Sequence, residues 1–172
     1  MTILETPRLT LRRLEESDAE RLFEIYREPD ALRFFAVGPP GTIADARAAI
    51  RRHLLRYEEW GFGLWATVLR ETGELVGRCG LLLQNLDGDP EIEVAYLIAP
   101  THWGRGLASE ASRAIRDYGF GPLKQERLVA IIHVENERSK QVARAIGMAF
   151  DRTSKYLHLD VEVFAMRRPE AS

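Results

Sequence analysis

One cysteine, Cys79, stands in a chain of 172 residues. No intrachain disulfide can form and no cysteine zinc site can be built, which fits a reducing compartment. Long apolar runs are also missing. The longest is Val94 to Ala99, far short of the roughly 20 residues that a membrane-spanning helix needs. The opening residues, Met1 to Arg8, lack the basic-then-apolar order of a signal peptide. These absences predict a cytoplasmic protein with no membrane role. An excess of one charge is absent too: 24 Lys and Arg against 26 Asp and Glu leave a net charge of −2. That balance argues against a coat on nucleic acid or on an anionic membrane. It leaves room for a small site that binds one phosphorylated ligand. His53, His102, His133 and His158 show no ligand spacing, so no metal is expected.

What is present is ordinary globular material. Hydrophobic residues make up 45% of the chain, enough to build the core of one domain over residues 1–172. Leu9, Leu11 and Leu14 predict a first strand. Glu16 to Glu20 reads as a helix start, with Ser17 as cap and Glu20 reaching back. A loop follows at Gly38-Pro39-Pro40-Gly41. A second helix spans Thr42 to Trp60, its apolar stripe formed by Ala46, Ile50, Leu54 and Tyr57. Next come strands at Leu64–Leu69 and Leu75–Leu83, joined by Glu71-Thr72-Gly73-Glu74, and a fourth strand at Glu91–Ile98. After a glycine turn, a helix through Leu107, Ala111 and Ile115 leads to a fifth strand at Leu128–Ile132. A helix at Asn136–Ile146 capped by Gly147 follows, then an antiparallel pair at Ala149–Tyr156 and Leu159–Met166. The order predicts an α/β fold on a mixed sheet. Its front half is antiparallel and is followed by one parallel strand–helix–strand crossover.

The chemically informative stretch begins where the fourth strand ends. Gly104 and Gly106 have no side chain to block close approach, and the helix that opens there carries about half a positive charge at its N-terminus. Successive backbone N–H groups at such a turn can hold a diphosphate without a basic surface. The spacing does not match a dinucleotide fingerprint, because Ser109 stands where the third glycine belongs. No Gly-Lys-Ser/Thr occurs, which excludes an NTPase phosphate loop.

The segment His102-Trp103-Gly104-Arg105-Gly106-Leu107-Ala108-Ser109-Glu110-Ala111 resembles the GNAT family of acetyl-CoA-dependent N-acetyltransferases. It is most similar to the branch of ribosomal-protein alanine acetyltransferases, where Trp replaces the usual Gln or Arg at the head of the motif. Asn136-Glu137-Arg138-Ser139, Ile146-Gly147-Met148 and Thr6-Pro7-Arg8-Leu9-Thr10-Leu11-Arg12 extend the likeness over nearly the whole chain. The resemblance implies a cleft where the fourth and fifth strands splay. Acetyl-CoA would be the co-substrate, with its pantetheine arm along Leu97 and Ile98. Its diphosphate would sit on the turn from Trp103 through Gly104, Arg105, Gly106, Leu107 and Ala108 to Ser109.

The implied reaction is attack of a primary amine, a protein N-terminus or a small molecule, on the thioester. Something must take the amine's proton, and the departing thiolate gains from a donor. Glu93 is the candidate base, since burial raises a carboxylate's pKa toward a useful value; the alternative is a solvated charge beside Glu91. Ser139 matches a serine that donates to the sulfur in this branch. Asn136 would orient pantetheine, or cap the helix, or do both. Cys79 reads as a core thiol, and Phe34, Phe35, Trp60, Phe62 and Trp65 as core or as walls of an acceptor pocket. The arginines of the second helix, Arg47 to Arg56, read as a solvated face. A non-catalytic acyl-CoA-binding module is the competing reading, and a homodimer is left open.

Overall fold

The computed structural model describes residues 1–169. In chain order the elements are β1 (Thr2–Glu5), β2 (Leu9–Arg12), α1 (Ala19–Arg27), α2 (Ile43–Trp60), β3 (Leu64–Leu69), β4 (Leu75–Leu86) and β5 (Asp89–Ile98). Then follow α3 (Leu107–Phe120), β6 (Arg127–His133), α4 (Glu137–Ala145), β7 (Ala149–Tyr156) and β8 (Leu159–Arg167). All eight strands form one sheet in the order β1-β2-β3-β4-β5-β6-β8-β7. Every neighbouring pair is antiparallel except β5 and β6. Those two run parallel and meet at a single register position, Glu93 opposite Val129. Beyond that rung the strands part, as the splayed arrangement requires.

The sheet is covered on both sides because its central strands are apolar on both sides. Ala19, Leu22 and Ile25 of α1 and Ala46 and Ile50 of α2 pack with Ala66 and Leu97. On the opposite face, Leu107, Ala111 and Ile115 of α3 and Ala143 of α4 pack with Cys79, Leu81, Val94 and Ala130. Each fully buried Leu or Ile contributes roughly 1.5–3 kcal/mol. Cys79 has no exposed surface, and burial pushes its thiol up to about 11. Among the described residues no helix is long and apolar enough to cross a membrane.

Three details depart from the sequence reading. The edge strand β1 has no counterpart in it, and Leu14 lies beyond β2, buried among α1 and α2 side chains. The cap of the first helical segment is not Ser17 with Glu20. Instead Asp18 accepts from the Glu15 N–H at 2.8 Å and its own N–H donates to the Glu15 carbonyl at 2.9 Å. Asp18 wins because Arg12 grips both its oxygens, at 2.9 and 2.7 Å, a charged fork that a serine hydroxyl cannot match. Third, β4 runs on to Leu86. Asp87 and Gly88 both adopt positive φ, 58° and 90°, as a two-residue hairpin turn demands. Gln84, Asn85 and Leu86 therefore pair with Glu91, Pro90 and Asp89.

Candidate functional site

The glycine turn comes first. Gly104 and Gly106 hold φ of 76° and 74°, a left-handed conformation that costs other L-residues about 1 kcal/mol or more. Gly106 caps α3 without any side-chain acceptor, and among the described residues no side chain accepts from the N–H groups at the start of that helix. A Cβ built on Gly104 meets nothing within 4 Å, so that side of the turn is open. Free helix donors beside an open, Cβ-less turn fit an anionic group such as a diphosphate. Arg105 is exposed beside them, while the Leu107 side chain is buried and offers only its backbone. Ala108 packs on the core.

The turn is fixed from two sides. The Trp103 indole donates to the Ile98 carbonyl at 2.8 Å, and the Arg138 guanidinium lies 3.8 Å over its ring. Glu110, one turn into α3, would repel an anion if left free. It accepts from the Thr6 hydroxyl at 2.6 Å, the Arg8 N–H at 2.9 Å and Arg8 Nε at 2.6 Å. Arg8 also donates to the Arg105 carbonyl at 2.8 Å. Burial pushes the Glu110 carboxyl up, but these bonds outweigh it and hold it below the usual carboxylate range. The N-terminal motif and the glycine turn, about a hundred residues apart, thus form one structure.

A cavity of about 530 Å³ opens on the sheet where β5 and β6 part, and Glu93, Ser139 and Asn136 all line it. Glu93 is half-buried. Burial drives its carboxyl up to about 7, and the opposing effects of Gln84, the Ile131 backbone and the Arg78 charge recover only part of that shift. Gln84 Nε2 donates to Glu93 at 2.7 Å, and the Tyr156 hydroxyl donates to Gln84 Oε1 at 3.1 Å. A carboxyl poised near neutrality and held by a neutral amide is suited to taking and releasing a proton. Across the cleft, Asn136 caps α4 by accepting from the Ser139 N–H at 3.2 Å. The Tyr96 hydroxyl donates to the Ser139 carbonyl at 2.9 Å. Lys140, buried, donates to Val134, Glu137 and Glu162 at 2.7, 2.9 and 3.0 Å. The first turn of α4 is therefore anchored to β5 and β8.

The aromatic candidates divide. Phe34 and Phe35 line the cavity, whereas Trp60, Phe62 and Trp65 belong to the core. His158 is an exposed turn residue. Arg47 and Arg51 pair with Glu20 and Glu16, while Arg52 lines the cavity. Among the described residues no group of three or more His, Cys, Asp and Glu is placed to hold a metal ion. Gln84, Tyr156 and Tyr96 are absent from the sequence reading of the site. The one signal that could have found any of them is the Asp-Gly turn, which sets Gln84 beside Glu93.

Residues 8–149 match the acetyltransferase (GNAT) domain family. YoaA of Bacillus subtilis strain 168, an uncharacterized N-acetyltransferase, is 32% identical over 147 residues, covering 84% of this chain and 81% of that protein. The crystal structure of an acetyltransferase from Agrobacterium tumefaciens strain C58 superposes with a TM-score of 0.81 at 29% identity, over 97% of this chain and 94% of that one. The fold, though not the sequence at 17% identity, is shared with RimL, a ribosomal L7/L12 alpha-N-protein acetyltransferase in complex with coenzyme A. There the TM-score is 0.81, over 97% of this chain and 98% of that one. The chain belongs to the GNAT acetyltransferase family and is an acyltransferase.

Proposed function

We propose that this chain, acting as one cytoplasmic domain, transfers an acetyl group from acetyl-CoA directly to a primary amine. The observation that carries the reading is a carboxyl titrating near neutrality in the same cavity as Ser139, at the mouth of the split between β5 and β6. Acetyl-CoA supplies the thioester. The uncapped start of α3 and the two left-handed glycines hold its diphosphate, with Trp103, Arg105, Leu107, Ala108 and Ser109 completing the turn. Pantetheine runs along β5 at Leu97 and Ile98. The Ile98 carbonyl is already engaged by Trp103, so pairing falls to the other backbone groups there.

Glu93 takes the proton of the amine as its nitrogen bonds to the thioester carbonyl carbon. The C–S bond then breaks, and the thiolate leaves with a hydrogen bond from the Ser139 hydroxyl. Asn136 holds Ser139 by capping its helix. No covalent enzyme intermediate is required. An amine at a protein N-terminus or on a small molecule satisfies this chemistry.

Two measurements test the reading. CoA raises the melting temperature while NAD and ATP do not. Free-thiol release from acetyl-CoA then identifies amines that turn over. Stabilisation by CoA with no release from any amine, N-terminal peptides included, would favour an acyl-CoA-binding module instead.

A further inference from the structure

The acceptor end of the cavity has an unbalanced charge. Arg78 projects from β4 on the same face as Leu82 and Gln84, the face that Glu93 and Ala95 share from β5. Its Nε donates to the Tyr26 hydroxyl at 2.7 Å, and its guanidinium lies 5.5 Å over the Tyr26 ring. Among the described residues neither Arg78 nor Arg52, also in the lining, has a carboxylate within ion-pair distance. Three arginines elsewhere on α1 and α2 do have one: Arg47 takes Glu20, Arg51 takes Glu16 and Arg21 takes Glu74.

His53 sharpens the asymmetry. It lines the same wall from α2, and its fully buried Nδ1 has no hydrogen-bond partner among the described residues. Burial first, then the charges of Arg78, Arg56 and Arg52, lower its pKa to about 3, so it is a neutral imidazole at any working pH. Two carboxylates line the cavity. Glu93 is committed to Gln84, and Asp45 to the Thr42 N–H and hydroxyl at 2.9 and 2.8 Å. A half-buried guanidinium left without a counterion is costly, and bidentate carboxylate is the partner its geometry fits best.

We propose that Arg78 is a specificity-determining residue and that the acceptor is an amine which also carries a carboxylate. The carboxylate pairs with Arg78 beside neutral His53 while the amine reaches Glu93. This rests on the acetyl-transfer reading above and names its substrate class. Either a free amino acid or a peptide with an acidic residue at its N-terminal end supplies that chemistry, and about 530 Å³ accommodates the bound part of either. Polyamines are disfavoured, since they bring further positive charge to a wall that already holds two unpaired arginines.

The test compares matched acceptors in the thiol-release assay: amino acids against their carboxamides, Ala-Asp peptides against Ala-Asn peptides, and spermidine. Amidation lowers an amino acid's amine pKa and supplies more free base, so the comparison is biased against the proposal. The expected result is a preference of at least about tenfold in kcat/KM for the carboxylate member of a pair. Whichever pair shows the larger preference separates the two sources. Arg78→Gln abolishes the preference mainly through KM, and Arg78→Lys, which keeps the charge, restores part of it.

A second readout needs no turnover. Glutarate, a dicarboxylate without an amine, raises the melting temperature of the wild type and not of Arg78→Gln. Equal rates for acid and amide, a preference that survives Arg78→Gln, or spermidine as the best acceptor each overturn the proposal. If CoA binds but no amine is acetylated, the acetyl-transfer reading fails and the glutarate experiment decides this one alone. The absence of any Arg78-dependent shift then overturns it.

Discussion

Replacing Glu93 by glutamine should make the protein more stable, and increasingly so as pH rises. The carboxyl titrates near about 7 in the folded chain against an ordinary 4.5. The folded state therefore keeps a proton that the unfolded chain has already released. Its contribution is fully favourable below about 4.5 and is lost as pH rises through 7, so wild-type stability falls across that window. A gap this wide corresponds to about 3 kcal/mol when fully expressed. Between pH 5 and 8, and with the carboxyl only half-buried, on the order of 2 kcal/mol should appear. The glutamine amide keeps the shape of the carboxyl and does not titrate. Urea unfolding of both proteins at pH 5, 6, 7 and 8 isolates the effect, because every other ionisable group cancels in the difference. The stability of Glu93→Gln relative to wild type should grow by about 2 kcal/mol over the range. A difference that stays constant with pH would refute a proton held on Glu93 near neutrality, whatever the catalytic assays show. Such a gain is the usual signature of a residue kept for activity at the expense of stability.

In turnover the same residue predicts a rate that rises roughly tenfold from pH 6 to pH 8 as the carboxyl ionises, and Glu93→Gln should lose about 10²–10⁴ in rate together with that inflection. An inflection retained in the variant assigns the base elsewhere. Gln84→Leu removes the amide that favours the ionised carboxyl, so its pH–rate inflection should move above that of the wild type; an unmoved inflection means Gln84 does not act on Glu93. Lys140→Met strands the Glu162 carboxylate and the Val134 carbonyl and should cost about 1–3 kcal/mol in denaturant unfolding, with kcat falling as Ser139 loses its anchorage. A loss under about 0.5 kcal/mol would show that the lysine is dispensable.

The glycine turn was legible because all its signals are local. Two glycines, a helix start and a run of matching neighbours sit within His102 to Ala111. Glu93 could be placed on its strand from sequence, but its environment could not. Burial raises its carboxyl, while Gln84, nine residues back, and the Arg78 charge pull the other way, and Tyr156 holds Gln84 in place. These depend on strand register and on a hairpin closing far along the chain. The Arg8–Glu110 pair shows the limit most clearly. Both residues stand in quoted motifs, yet only the packing of α3 against β1 and β2 brings them together. Ser17 fails as a cap because composition cannot report that Arg12 would recruit Asp18. The edge strand β1 is four residues long and half-exposed, too short for alternation to register.

The single rung at Glu93 and Val129 also has a topological meaning. Among the described residues it is the one rung by which β1 to β5 pair with β6 to β8, while α3 packs on strands of both halves. Past it, β5 presents a strand edge without a ladder partner inside an otherwise continuous sheet. Apart from the Ile98 carbonyl, its backbone groups there are free to pair with an extended ligand, as an outer edge strand would be, without exposing a sheet edge on the surface.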